Sequence, residues 1–247
     1  PDASGNGHTA TFSGTGFVEL RSSDHGAMAE VTALSGTPSS VVSFGNIISS
    51  EFTICSATRY TGGSVKRILQ GGGINWLHGH YGGNTGVAYY GSWKTAEAVH
   101  VSPTTDWVLM CGSNSGSEKK LVNGVDLGLA SGGDGGVSLW INNGDRSGEV
   151  SDFAVAEVIV WDRGLSDDEM YAASEHLRTT VLGIPHAPPS PPLAPVELPA
   201  GVSAWYSHGR FDLDTNTWPD ASGNGHTATF SGTGFGELRS GDHGPLA

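Results

Sequence analysis

The chain has 247 residues, of which 37% are hydrophobic and only 15% are charged, with 38 glycines and a formal net charge of −13. This negative charge argues against nucleic acid or an anionic membrane surface as a partner, because binders of either need basic patches, and no apolar run approaches the length of a membrane span. Low charge with abundant glycine favours short strands joined by tight turns, in one large all-β domain.

The predicted elements are mainly short strands bounded by glycine-rich turns. Asn123–Gly124 is typical of a two-residue hairpin turn. Strands are predicted where apolar and polar residues alternate, in chain order at His8–Phe12, Val41–Phe44, Phe52–Tyr60, Val65–Gln70, Trp107–Gly112, Lys120–Val122, Val137–Asn142 and Phe153–Trp161. In the last strand the alternation predicts a single face that contains Phe153, Val155, Glu157, Ile159 and Trp161.

One helix is predicted, from Asp167 to about Thr179. Ser166 is a favourable N-cap, and Glu169 three residues later completes a capping box. The helix carries one apolar stripe, formed by Met170, Ala173, Leu177 and Val181.

The chain contains the same segment twice. Pro1–Ala29 and Pro219–Ala247 are identical at 25 of 29 positions, at a constant offset of 218 residues. The four differing pairs are Val18 and Gly236, Ser23 and Gly241, Ala27 and Pro245, and Met28 and Leu246. A period of this size indicates a tandem repeat of whole domains, whereas the alternative is an artefact of duplication in the sequence itself.

Three parts follow from this repeat: a body at 1–183, a linker at 184–200 and, at 201–247, the opening strands of a next repeat or a donated segment. Seven prolines between Pro185 and Pro199 predict a stiff, polyproline II spacer. The segment Gly201–Ser207 precedes only the second copy, so we expect the body to lack its own opening strand. Either one polypeptide runs through many repeats, or separate subunits lend this segment to the next body.

Two motifs resemble the laminin G-like branch of the concanavalin A-like lectin/glucanase superfamily: the Asp-x-Ser-Gly-Asn-Gly-His turn at 2–8 and AEVIVWDRGLSDDEM at 156–170. The segments FTICSATRY, DWVLMCGSN and LVNGVDLG fit the middle strands of that family. The resemblance implies an all-β, two-sheet antiparallel jelly-roll sandwich with one short helix. It also implies that the first and last strands are adjacent, so that Gly201–Ser207 pairs near Phe153–Trp161.

Many members of this family bind one structural calcium ion through oxygen ligands. The resemblance therefore implies Ca²⁺ as a cofactor, with the matching ligands Asp2, Asn6 and Glu157, and the repeated pair Asp220 and Asn224. In the alternative interpretation, Asp2 and Asn6 only shape the turn by hydrogen bonding to their own backbone.

An aromatic-rich segment among glycines is the candidate carbohydrate-binding region. Exposed rings can stack on sugars, and the candidates are Trp76, His78, His80, Tyr81, Tyr90 and Trp93. The alternative is that several of these rings belong to the core or to an interface between repeats.

The two cysteines, Cys55 and Cys111, both lie in strand-like runs. If those strands are neighbours a disulfide is geometrically possible, and the alternative is two buried free thiols. The linker segment APPSPP resembles the hydroxyproline-rich motifs of plant and algal extracellular glycoproteins. That resemblance implies secretion and O-linked sugar on Pro188, Pro189, Ser190, Pro191 and Pro192, whereas the alternative is an unmodified spacer.

Catalysis is not predicted, because no strand carries the closely spaced carboxylates that glycoside hydrolysis needs. The acidic run Asp167–Glu169 opens the predicted helix, where it complements the helix dipole. Two hypotheses remain. The first is a repeat unit of a glycosylated extracellular filament or cell-surface fibre, whose partners are head-to-tail copies of itself. The second is a lectin or adhesin module whose tandem copies bind glycans with avidity.

Overall fold

The computed structural model describes residues 3–144, 146 and 148–185, and the backbone of residues 217–218 and 228–229. The chain divides into two compact units, Pro1–Ala187 and Pro188–Ala247. The first unit is an all-β sandwich of two antiparallel sheets with one short helix, which confirms the predicted fold class.

The described part of the first unit contains thirteen strands. In chain order they are β1 (Thr11–Gly14), β2 (Val18–Ser22), β3 (Val31–Gly36), β4 (Ser40–Ile48), β5 (Thr53–Tyr60), β6 (Leu69–Gly72), β7 (Trp76–Tyr81), β8 (Asn84–Tyr90), β9 (Val108–Ser113), β10 (Lys120–Val122), β11 (Val125–Asp126), β12 (Val137–Ile141) and β13 (Phe153–Trp161).

Each sheet includes strands that are distant in the sequence. One sheet has the spatial order β1-β4-β12-β6-β7-β8, and the other has the order β11-β10-β9-β5-β13-β3-β2. Each named pairing between these strands is antiparallel, so short turns can connect sequential neighbours. The predicted hairpin turn is confirmed, because Asn123 and Gly124 adopt φ angles of 49° and 85° between β10 and β11.

The main core lies between the sheets. Apolar residues at alternate positions of both sheets point inward, because successive side chains of a strand face opposite sides. The largest buried side chains of this core include Phe52, Ile54, Tyr60, Trp76, Tyr90 and Phe153.

A second core covers the outer face of the sheet that contains β5 and β13. Helix α1 spans Asp167–His176 and continues into a π-helical turn at Leu177–Val181. The capping box of Ser166 and Glu169 is present as predicted. Met170, Ala173 and Leu177 of the predicted stripe are buried against this sheet. The sheet is therefore covered on both faces along its centre.

The second unit is described only as a short antiparallel pair, β14 (Thr217–Trp218) with β15 (Ala228–Thr229). By the offset of 218 residues, β15 corresponds to Ala10 and Thr11 of the first copy. The residues just before the repeated motif therefore pair with a strand inside that motif.

Candidate functional site

Strand β13 has two edges with very different neighbours. One edge pairs with β5 along the whole strand, from Phe153 opposite Tyr60 to Trp161 opposite Thr53. The other edge pairs with β3 only from Phe153 to Val155. No described residue pairs with this second edge from Ala156 to Trp161. We call this stretch the open edge, because none of the described strands pairs with it.

A β-bulge interrupts the alternation of side chains between the two faces of β13. The register against β5 shifts between Val155 and Glu157, so two residues of β13 face one residue of β5. The predicted single face is therefore wrong, because the extra residue reverses the alternation. The inter-sheet core receives Phe153, Val155, Val158 and Val160. The core beneath the helix receives Ala154, Ala156, Ile159 and Trp161.

Apart from Glu157, the residues of the open edge are apolar on both faces of the strand, and all are only partly buried. From Val155 to Trp161 every residue keeps part of its surface exposed. Val158 and Val160 border the inter-sheet core, while Ile159 and Trp161 border the core beneath the helix. A strand laid against this edge would continue both cores and remove their remaining apolar surface from water.

One charged residue lies within the open edge. Glu157 Oε1 is 3.4 Å from His176 Nε2 on helix α1, and both side chains are partly exposed. An inward or edge charge of this kind limits indiscriminate strand pairing. Glu157 is also a predicted calcium ligand, and that role stays a prediction.

The remaining calcium prediction stays a prediction. Asp2, Asp220 and Asn224 lie outside the described residues. Asn6 is exposed, and its backbone N–H donates to Ser4 Oγ at 3.2 Å. Within the described ranges no group of three or more His, Cys, Asp or Glu side chains is arranged to hold a metal ion. This hydrogen bond uses the Asn6 backbone and the Ser4 side chain, so both interpretations of the Asn6 side chain stay predictions.

Four of the six predicted sugar-binding side chains are buried, which corrects the expectation that this segment exposes its rings. Trp76, His78, His80 and Tyr90 are each at most 1% exposed. Trp76 and Tyr90 stack with ring centroids 4.9 Å apart. The β7–β8 hairpin lies over the inter-sheet core, so these rings pack there and offer no face to a sugar.

Both buried histidines have partners inside the sandwich. His78 Nδ1 lies 2.7 Å from Tyr90 Oη, and His78 Nε2 lies 3.2 Å from the Met110 carbonyl oxygen. His80 packs edge-on against Tyr60. Burial disfavours the charged imidazolium, so it lowers the pKa of His78 to about 4 and the pKa of His80 to about 3. Both side chains are therefore neutral structural groups at neutral pH.

The other two predicted residues form an aromatic cluster at the surface. Tyr81 and Trp93 are partly exposed, with ring centroids 5.8 Å apart. Tyr89, also partly exposed, meets Trp93 edge-on at 5.2 Å. The Arg67 guanidinium lies 5.3 Å from the Tyr81 ring centroid. We call Tyr81, Tyr89 and Trp93 the surface aromatic cluster.

The predicted disulfide is present. Cys55 on β5 lies directly opposite Cys111 on β9, and their sulfurs are bonded. Both residues face the core beneath the helix and are essentially unexposed. Disulfides persist in oxidising compartments, so this bond fits a secreted protein.

The acidic run at the start of α1 serves the helix itself. Ser117 Oγ donates to Asp167 at 2.6 Å. Glu169 accepts from the Ser166 backbone N–H and from both terminal nitrogens of Arg163. Hydrogen bonding from Arg163 lowers the pKa of Glu169 to about 2. The predicted structural role of this run agrees with these contacts.

One cleft was missed by sequence reasoning. Val18, Ser35, Ala154 and Arg59 lie in register across β2, β3, β13 and β5. Val18, Ser35 and Arg59 line an open cleft of about 450 Å³, together with Asp152. Arg59 is only 5% exposed. The cleft's residues come from strands far apart in the chain, and the only sequence signal was an arginine within an otherwise uncharged strand.

Several predictions fall on residues that the structure does not describe. These are the glycosylation candidates Pro188–Pro192, the linker beyond residue 185 and the segment Gly201–Ser207. No helix within the described ranges is long and apolar enough to cross a membrane.

No family model and no curated protein matches the chain. Solved structures do resemble it. Domain 4 of AbnA, an extracellular GH43 arabinanase from Geobacillus stearothermophilus solved with arabinotriose, matches with a TM-score of 0.51 and 13% identity, over 70% of this chain and 91% of that one. A mutant Trypanosoma rangeli sialidase with trans-sialidase activity matches with a TM-score of 0.39 and 12% identity, over 70% of this chain and 29% of that one. Trypanosoma rangeli sialidase in complex with sialic acid matches with a TM-score of 0.39 and 13% identity, over 66% of this chain and 32% of that one. At this identity the likeness to the arabinanase domain shows a common β-sandwich fold.

Proposed function

We propose that the chain is the repeat unit of an extracellular filament or cell-surface fibre, in which copies assemble head to tail. The observation that carries this proposal is the open edge of β13 from Ala156 to Trp161. A half-buried strand with apolar residues on both faces is a template for pairing with another chain. The repeated motif at 1–29 and 219–247 supplies the periodicity.

Head-to-tail growth follows from the kind of interface. The open edge belongs to the first unit, and a partner that binds it through a different surface forms a heterologous contact. Such contacts produce open filaments when their rotation does not close a ring. The disulfide between Cys55 and Cys111 supports an extracellular setting, and the proline- and serine-containing linker supports glycosylation.

The test measures the assembly of the full chain. We expect its native mass by light scattering to rise with concentration and linear particles to be visible by electron microscopy. Ile159→Lys places a charge in the open edge and should abolish assembly. Val125→Lys is the matched control, because Val125 is 59% exposed on the edge strand β11. A chain that stays monomeric at all concentrations, or an Ile159→Lys variant that still assembles, would refute the proposal.

A second candidate function is carbohydrate binding, which the surface aromatic cluster favours. Partly exposed aromatic rings provide apolar faces on which the C–H groups of a sugar can pack. We expect Trp93→Ala to abolish binding on a glycan array if the chain is a lectin. Phe12→Ala is the control, because Phe12 is another exposed ring, 57% accessible, on β1. Glycan binding that is absent, or that survives Trp93→Ala, would exclude this site.

A further inference from the structure

We propose that the cleft lined by Arg59 and Asp152 binds a small carboxylate that also carries hydroxyl groups, which is the chemistry of a uronic acid. We call it the Arg59 cleft. It lies on the sheet that contains β5 and β13, whereas Tyr81 and Tyr89 of the surface aromatic cluster belong to the other sheet. None of its described lining residues belongs to the open edge. This site is therefore distinct from both sites proposed above.

Arg59 is a buried cation without an ionic partner. It is only 5% exposed, and no carboxylate among the described residues forms an ion pair with it. Asp24 and Asp106 act on it only from a longer distance and raise its pKa, which burial lowers. The other buried arginine of the described residues, Arg67, has Glu149 as its ion-pair partner. A buried charge is costly unless it is paired, so Arg59 favours an anion that enters the cleft.

One side of the Arg59 guanidinium is free to bind that anion. Its Nη1 donates to the carbonyl oxygens of Tyr60 at 3.3 Å and Thr105 at 3.4 Å, whereas Nε and Nη2 have no hydrogen-bond acceptor among the described residues. In Arg178 the same two nitrogens donate to the two oxygens of Glu175, at 2.7 Å each. This is the bidentate geometry that carboxylates prefer. Because Nε of Arg59 is fully enclosed and Nη2 is not, Nη2 meets the ligand first.

The other polar groups of the cleft favour hydroxyls on the same ligand. Asp152 Oδ2 accepts from the Ser64 backbone N–H at 2.9 Å, which fixes this carboxylate and leaves Oδ1 as an acceptor. The side chains of Thr37, Thr61 and Thr105 also line the cleft. A hydroxyl group can donate to Asp152 and accept from a threonine, whereas a bare anion would only be repelled by Asp152.

The size and charge of the cleft favour a sugar acid over a phosphate. Its volume of about 450 Å³ falls within the range of roughly 300–1,000 Å³ that is usual for small-molecule sites. Val18 and Leu20 add apolar surface on which the C–H groups of a sugar ring can pack. A doubly charged phosphate would meet one arginine beside Asp24, Asp106 and Asp152, so a single negative charge fits better.

Isothermal titration calorimetry of the full chain tests the proposal, with glucuronate as the probe. Acetate, which carries only the carboxylate, and glucose, which carries only the hydroxyls, are the comparison ligands. We expect glucuronate to bind more tightly than either. Arg59→Met should weaken glucuronate binding about 10- to 100-fold, because it removes charge-assisted hydrogen bonds. Arg21→Met is the matched control, because Arg21 lies on the neighbouring strand β2, is 59% exposed and pairs with Glu19.

A second variant blocks the cleft and leaves Arg59 in place. Val18 lines the cleft from the edge strand β2 and is 62% exposed, so Val18→Trp should fold normally and abolish glucuronate binding. Val125→Trp is its control, because Val125 is 59% exposed on the edge strand β11. Glucuronate should also raise the Tm of the unmodified chain and leave the Tm of Val18→Trp unchanged, because only a bound ligand stabilises the folded state.

Each other outcome contradicts the proposal. Glucuronate binding that is absent, or that both Arg59→Met and Val18→Trp leave unchanged, would overturn it. Equal affinity for acetate would show a simple anion site, and equal affinity for glucose would show a neutral sugar site, so either result would overturn the ligand class. Binding that Trp93→Ala abolishes and Arg59→Met preserves would place the sugar at the surface aromatic cluster. Assembly at the open edge is measured separately and does not depend on these results.

Discussion

Strands β5 and β13 are neighbours in one sheet, yet β5 is enclosed and β13 is half open. All eight residues of β5 are buried, including its threonines, its serine and Arg59. In β13 only Phe153 and Ala154 are buried, although the strand is rich in valine and isoleucine. The more polar strand is thus the more buried one. Burial here is decided by the strands on either side, and β13 lacks one of them beyond Val155 among the described residues.

The largest expected effect on stability comes from one cross-strand pair that joins the enclosed strand β5 to the half-open strand β13. Ile54 on β5 lies opposite Val160 on β13. Ile54 is fully buried, so Ile54→Ala should lower the free energy of unfolding by about 2–5 kcal/mol. Val160→Ala should cost about 1 kcal/mol, because this side chain is already partly in water. Urea unfolding of the monomeric protein measures both. Equal losses would show that the open edge is not open.

The disulfide ties β5 to β9, whereas β13 has no covalent tie in the described residues. Replacing Cys55 and Cys111 together by alanine should lower the free energy of unfolding by about 2–4 kcal/mol, since the unfolded chain loses a constraint. Cys55 lies opposite Ile159, but the bond joins β5 to β9 and so leaves the unpaired side of β13 unchanged. The assembly measured by light scattering should therefore persist below the unfolding transition. Loss of assembly in the folded double variant would show that the open edge of β13 depends on the disulfide.

Acid should destabilise the enclosed interior, where His78 and His80 are buried. Because the pKa of His78 falls from its ordinary 6.5 to about 4 in the fold, the unfolded state binds more protons between these values. Stability is therefore complete above about pH 6.5 and falls as the pH drops toward 4, by about 3 kcal/mol for His78; the lowered pKa of His80 extends the loss toward pH 3.

Two histidine variants check this expectation. In thermal unfolding between pH 7 and pH 4, His78→Gln should reduce the pH dependence, although it lowers stability at neutral pH. His8→Gln should not change the dependence, because His8 is exposed. A pH dependence that is the same in His78→Gln and in the unmodified chain would contradict the assignment.

The smallest expected effect concerns the charge within the open edge. Glu157→Gln removes a partly exposed pair with His176, so the free energy of unfolding should change by only about 0.2–1 kcal/mol. Removing the charge should nevertheless strengthen self-association, because edge charges oppose strand pairing. Sedimentation velocity measures the self-association of Glu157→Gln. The control variant is Glu51→Gln, which changes an exposed residue outside any strand. Unchanged or weaker self-association of Glu157→Gln would show that the Glu157 charge does not oppose strand pairing at the open edge.

Local alternation and capping chemistry predicted the capping box at Ser166 and strands such as β5 and β9, whereas the sandwich came from the family resemblance. The strands β2 and β3 were not predicted, and β6 begins at Leu69 and not at Val65. Sequence reasoning failed at β13 beyond Val155, because a bulge leaves no mark in the alternation of apolar residues. It did not decide the burial of Trp76 and Tyr90, since the pattern of β7 and β8 does not say which strands lie opposite. The Arg59 cleft depends on register across four strands, which the sequence does not encode locally.

The bond between Cys55 and Cys111 also has a mechanical consequence. The two cysteines are separated by 56 positions, so a pulling force applied at the ends of the body cannot extend the polypeptide between them while the bond is intact. At 3.3–3.6 Å per extended residue, about 190 Å of contour length is withheld from extension. A fibre built from such bodies would lengthen under load through its linkers and terminal segments, and each body would yield its central strands only after reduction.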